Sequence, residues 1–137
     1  MNRSIEEIQR VAIFRAALRR FERTTEHAVR RVGLTPRQYL LLLAIEGSPG
    51  GDRRARISEL AEVLQLAPST TSELVDRASA AGFVRRTTAA HDGRVVSVSL
   101  TTTGRRLLDR AMTALDAERD AVAAAAAALR THLPSDG

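Results

Sequence analysis

The period of the hydrophobic pattern switches within one stretch of this chain, and that switch constrains the fold more than any other feature. As far as Ala81 the apolar residues recur at helical spacing. From Phe83 and Val84 the rhythm shortens. Val96, Val98 and Leu100 alternate with Ser97 and Ser99, the pattern of a half-buried strand, and Ala89 to Gly93 reads as the turn before it. After Thr101 helical spacing returns. A small antiparallel hairpin is therefore set into an otherwise helical chain.

Boundary signals place the helices around it. Residues 5–32 read as one long amphipathic helix. Phe14, Leu18, Phe21, Thr25, Ala28 and Val32 share a face, Ile5, Ile8 and Val11 extend it backward, and Gly33 ends it. Thr35, Pro36 and Gln38 open the next helix with a capping box. Tyr39 to Ile45 is apolar nearly all round, which marks a central helix, and Gly47 to Gly51 is a loop. Ser58 is placed to cap a short helix running to about Leu64. Gln65-Leu66-Ala67 is only a turn, Pro68 opens a second short helix, and Gly82 closes it.

Two short helices joined by a tight turn and followed by a hairpin describe a winged helix-turn-helix. Its inward positions are Leu60, Ala61, Leu64, Leu66, Thr71, Leu74 and Val75. The turn lacks the glycine often found there, and Gln65 occupies that neighbourhood. Beyond Thr101, Leu107, Leu108, Ala111, Leu115, Val122 and Leu129 lie on broad helical faces, with an alanine run at Ala123 to Ala128 and a fraying tail at Pro134 to Gly137. The expected fold class is mainly α with a small β-hairpin wing. A single domain covers 1–137, with the winged lobe at 34–101 and long helices at 1–33 and 102–133.

Composition removes several function classes. The chain of 137 residues has no cysteine, which excludes disulfides, cysteine-ligated zinc, a thiol nucleophile and thiol redox sensing. The longest apolar runs fall far short of a membrane span, and the N-terminus lacks the apolar stretch of a signal peptide, so a cytoplasmic location is expected. His27, His91 and His132 are far apart, without a partner ligand at helical spacing, and no phosphate loop or nucleophile elbow is present. No catalytic residue, metal or cofactor is expected, and the protein is not read as an enzyme.

The charge balance is basic, at +5, and all 21 cationic residues are arginines. Residues 1–37 hold nine of them against four acids. Such a chain suits polyanion binding, although net charge does not choose between DNA, RNA and a membrane surface. The candidate contacts are more specific. The second short helix begins Pro68-Ser69-Thr70-Thr71-Ser72. Small hydroxyl residues let a helix N-terminus approach DNA and bond phosphates or base edges, but the same residues also gather at helix starts as simple caps. Arg77 can reach a DNA backbone or pair with Glu73. Arg85 and Arg86 stand at the start of the hairpin and Arg94 just past its tip, where a cation suits a narrow minor groove. Asp92 either orients Arg94 or simply makes the turn.

The sequence resembles transcriptional regulators of the MarR (multiple antibiotic resistance regulator) type over about residues 5–120. Asp92-Gly93-Arg94-Val95-Val96-Ser97-Val98-Ser99-Leu100-Thr101 is similar to the family wing signature D-x-R-x-x-x-L-x-L-T, with Val98 in place of the usual leucine. Ser69 to Arg77 and Ala81 to Arg86 resemble the recognition helix and its exit, and Leu34 to Tyr39 the start of the second helix. The resemblance implies a homodimer whose first and last helices interlock, gripping a palindromic double-stranded DNA operator. It implies repression, and release by a small, often aromatic, anionic effector. Phe14, Phe21 and Tyr39 are candidates to line the cleft for such a molecule, or else belong to the core. The alanine-rich end departs from the leucine-rich final helix of the family, so a smaller dimer base, or one leaning on Ile5, Ile8 and Val11, is expected. Two other functions fit the same fold: a small-molecule sensor with weak DNA binding, and a winged-helix module that binds protein.

Overall fold

The computed structural model describes residues 2–89 and 92–130, and the side chains of all of these except 89 and 92–94. Helix α1 (Ile5–Val32) begins where Ser4 accepts a hydrogen bond from the Glu7 amide at 3.1 Å. It ends at Gly33, whose φ of 99° is left-handed and lets the Leu34 amide reach back to the Val29 carbonyl. Helix α2 (Pro36–Glu46) has the expected capping box: the Gln38 amide donates to Thr35 Oγ1 at 3.1 Å and the Thr35 amide to Gln38 Oε1 at 3.0 Å. Tyr39, Leu41, Leu42 and Ile45 are buried, whereas Leu40 and Leu43 stay exposed, so α2 is central on one side only.

Strand β1 (Arg54–Arg56) follows a loop and runs directly into helix α3 (Ile57–Leu64). This corrects two expectations. Ser58 lies inside the first turn of α3, and the N-cap is Arg56, whose amide donates to Glu59 Oε1 at 3.0 Å. The hairpin is also not alone. Helix α4 (Pro68–Ala80) leads to β2 (Val84–Ala89) and β3 (Asp92–Leu100), and β1 pairs antiparallel with the far side of β3, giving the order β1-β3-β2. The strands reach Ala89 and Asp92, closer to the tip than the turn read at 89–93 allowed. The turn between α3 and α4 holds Gln65 at φ 54°, a left-handed conformation that costs an L-residue roughly 1–2 kcal/mol.

Helix α5 (Thr102–Ala114) and helix α6 (Asp116–Ala128) divide the C-terminal stretch, and neither a glycine nor a proline announces the break between them. Leu115 sits at the break and is fully buried, anchoring it to the core. The core joins Val29 of α1 with Leu41, Leu42 and Ile45 of α2, Leu60, Val75, Val98, Leu100, Leu108 and Ala111. Helix α6 packs along α1 and contributes no buried residue.

The junction of lobe and α5 is tied closely. Thr101 Oγ1 donates to the Gly82 carbonyl at 2.6 Å and accepts from the Gly104 amide at 3.1 Å. The Thr101 amide donates to the Phe83 carbonyl at 3.0 Å. Gly104 is needed there, because a β-carbon would collide with the Phe83 carbonyl oxygen.

Candidate nucleic-acid interface

At the N-terminus of α4 the hydroxyl residues do not act as the helix cap. The N-cap is Ala67, which offers no side-chain cap. Ser69 is exposed, and Thr70 and Ser72 are half-buried, so these hydroxyls stand beside an uncapped helix start instead of closing it. Pro68 is exposed at the first helical position. Thr71 is a correction to the contact set. It is fully buried and its hydroxyl donates to the Ala67 carbonyl at 3.0 Å, so it serves the core and has no donor for DNA.

Arg77 is exposed in the third turn of α4, and no ion pair with Glu73 is present among the described residues. It lines a groove of about 350 Å³ with Leu74 and with Thr35, Pro36, Arg37 and Gln38 from the start of α2. Arg37 was not among the sequence candidates. Its one signal was weak: a cation in the first turn of a helix opposes the helix dipole, and a nearby anion relieves that.

Arg85 and Arg86 separate. Successive strand residues face opposite ways. Arg85 lies opposite Ser99 on the outer face of the sheet. Arg86 lies opposite the buried Val98, on the face toward α4, where its Nη2 sits 2.6 Å from Asp76 Oδ1. Arg86 therefore bolts the wing to α4. The side chains of Asp92 and Arg94, and the tip with His91 that precedes them, lie outside the described residues, as do residues 131–133 of the expected C-terminal helix and the tail beyond.

The arrangement has counterparts of known structure. A model of the MarR family matches residues 32–95, the winged lobe. RV1404 from Mycobacterium tuberculosis superimposes with a TM-score of 0.71 at 20% identity, covering 98% of this chain and 85% of that one. AbsC, a MarR family transcriptional regulator from Streptomyces coelicolor, gives 0.65 at 24% identity over 88% and 81%. A mutant MarR from E. coli complexed with operator DNA gives 0.64 at 23% identity over 94% and 96%. The winged lobe thus matches a MarR family model, and the chain has the fold of these winged-helix structures. No curated protein sequence matches it significantly.

In this winged-helix fold α4 is the second helix of the helix-turn-helix and β2–β3 form the wing. A second cavity, of about 420 Å³, opens between α1, α2 and the α5–α6 junction. Phe21, Tyr39, Leu40, Leu43 and Met112 give it an apolar lining, and Glu22 and Arg119 supply charge. Arg119 donates to Asp116 Oδ1 at 2.8 Å. Of the three aromatic candidates, Phe21 and Tyr39 line this cavity and Phe14 does not. Among the described residues no cluster of His, Asp and Glu is arranged to hold a metal, and no helix is long and apolar enough to cross a membrane.

Proposed function

We propose that the protein is a sequence-specific DNA-binding transcription regulator that acts as a homodimer on a palindromic operator, represses, and is released by a small aromatic or anionic effector. The observation that carries the DNA reading is the start of α4. Its hydroxyls are freed from capping, its first-turn amides are open, and Arg77 and Arg37 flank the adjoining groove without ion-pair partners among the described residues. Such a helix end suits a major groove with phosphates on either side. The complex of the E. coli neighbour with operator DNA supports the same reading.

The dimer rests on residues 1–33 and 102–133. Ile5, Ile8, Val11 and Ile13 of α1 and Leu129 beyond α6 are exposed in one chain, more apolar surface than a lone base covers. The effector reading rests on the apolar cavity with Arg119 at its edge, which suits an aromatic ring bearing an anion.

The test is selection of bound duplexes from a random pool, followed by salt titration. Selected sites are expected to be inverted repeats with half-site centres about 10–11 base pairs apart or a multiple of that. Arg94→Ala is expected to weaken binding by about 1–3 kcal/mol and to lower the salt slope by about one per arm, with melting unchanged. Selected sites without inverted symmetry would refute the dimeric operator, and unchanged binding by Arg94→Ala would remove the wing as a contact.

A further inference from the structure

Strand β1 gives the wing sheet an outer face of unusual chemistry. The register sets two rows across it. Arg54 lies opposite Ser99, which lies opposite Arg85, and Arg56 lies opposite Ser97, which lies opposite Thr87. Each row spans roughly 10 Å, twice the strand spacing. The face points outward because the other parity, Ala55, Val98 and Leu100, is buried. Arg54, Arg56 and Arg85 are exposed and have no ion-pair partner among the described residues. Thr87 and Ser97 hydroxyls stand 3.4 Å apart between them.

A cavity of about 580 Å³ runs along the β1 side, lined by Arg54, Arg56, Ser58 and Ser97. Two carboxylates also border it, and both are engaged locally. Asp52 accepts from Ser48 Oγ at 3.2 Å and Glu59 from the Arg56 amide at 3.0 Å.

We propose that this outer face binds backbone phosphates of duplex DNA that continues past the operator, as a contact separate from α4 and the wing tip. The proposal rests on the DNA-binding reading above. Unpaired guanidinium groups interleaved with hydroxyls are phosphate-binding chemistry. A protein partner would need an aromatic or large apolar anchor, and the one large apolar side chain facing this way among the described residues, Val95, is half-buried. Position agrees with chemistry. Strand β2 is the one bolted to α4 through Arg86 and Asp76, and β1 is the opposite edge of the sheet. The basic face thus extends outward from the place where the contact between α4 and the wing ends.

The experiment compares two duplexes carrying the same selected operator, one trimmed to its half-sites and one extended by about one helical turn on each side. The parent protein is expected to bind the extended duplex at least several-fold more tightly. Arg54→Gln combined with Arg56→Gln is expected to lose that gain and to keep the affinity for the trimmed duplex. Removing one phosphate contact should reduce the effect of a fourfold rise in salt by about threefold. The corresponding double lysine variant retains the charge and should keep the gain, and Arg85→Gln should lose part of it. A parent that gains nothing from the extension overturns the proposal, as does a glutamine variant that melts like the parent and keeps the gain. Thermal stabilisation of the parent by pyrophosphate, with no gain from extended DNA, would assign the face to a free phosphate-bearing ligand and also overturn it. A parent that prefers neither operator duplex over random DNA refutes the underlying reading itself, and does so before any variant is made.

Discussion

Leu41, Leu42 and Ile45 in α2 have no exposed surface, whereas Ile5, Ile8 and Ile13 in α1 each keep more than half of theirs. The residue types are alike, so the difference lies in what surrounds them. Around α2 the chain returns repeatedly, with α1, α3, α4, β3 and α5 all packed against it. Helix α1 packs along α6, which is mostly alanine and has no buried residue. Burial of a leucine or isoleucine contributes about 1.5–3 kcal/mol, and alanine supplies little of that. The winged lobe thus has its core within one chain, and the start of the helical base keeps uncovered apolar surface that a second chain can bury.

Four substitutions test this contrast. The largest effect is expected for Leu42→Ala in the lobe, which should lower unfolding free energy by about 2–5 kcal/mol through reduced burial and a cavity. Urea titration measures it, and a drop of less than about 1 kcal/mol would mean the lobe is loosely packed. Gly104→Ala should follow at about 1–3 kcal/mol, because the added methyl forces α5 away from the Phe83 carbonyl. Parent-like melting would show that α5 can shift freely on the lobe.

Arg86→Ala removes the ion pair to Asp76, but both side chains are substantially exposed, so solvent screening limits the cost to about 0–1 kcal/mol. Its denaturant midpoint should barely move, and a large drop would show that wing and lobe stand or fall by that one contact. Ile8→Ala in the base should change the stability of the single chain least, within about 0.5 kcal/mol. Sedimentation should nevertheless show weaker self-association. Unchanged association at micromolar concentration would break the contrast by showing that the exposed isoleucines cover nothing.

The sequence made some of this readable and hid the rest for physical reasons. The extent of α1, the capping box at Thr35 and Gln38, and the left-handed glycine after α1 were legible because caps and period act locally. Strand β1 was not. Arg-Ala-Arg has one apolar residue, too few to show a period, and its pairing partner lies some forty residues on. The break at Leu115 was hidden because burial of a leucine, rather than a glycine or proline, fixes it. Within the interface, Ser69 and Arg77 are legible from residue type and spacing. The fate of Thr71 is half visible, since its spacing sets it on the inward face while its hydroxyl suits the contact set. The parting of Arg85 and Arg86 follows from strand alternation alone, but only once Val98 is known to face inward.

Thr101 closes the wing signature, and its bonds reach the Gly82 carbonyl, the Phe83 carbonyl and the Gly104 amide. That single residue therefore splices the exit of α4, the root of the wing and the first turn of α5 into one stiff joint. A torque applied to the far end of α5 is not absorbed at such a joint. It swings α4 and the wing together, like a key turned by its bow. In a two-fold assembly the quantity so adjusted is the gap between two α4 helices, and a duplex with fixed pitch tolerates little change in that gap.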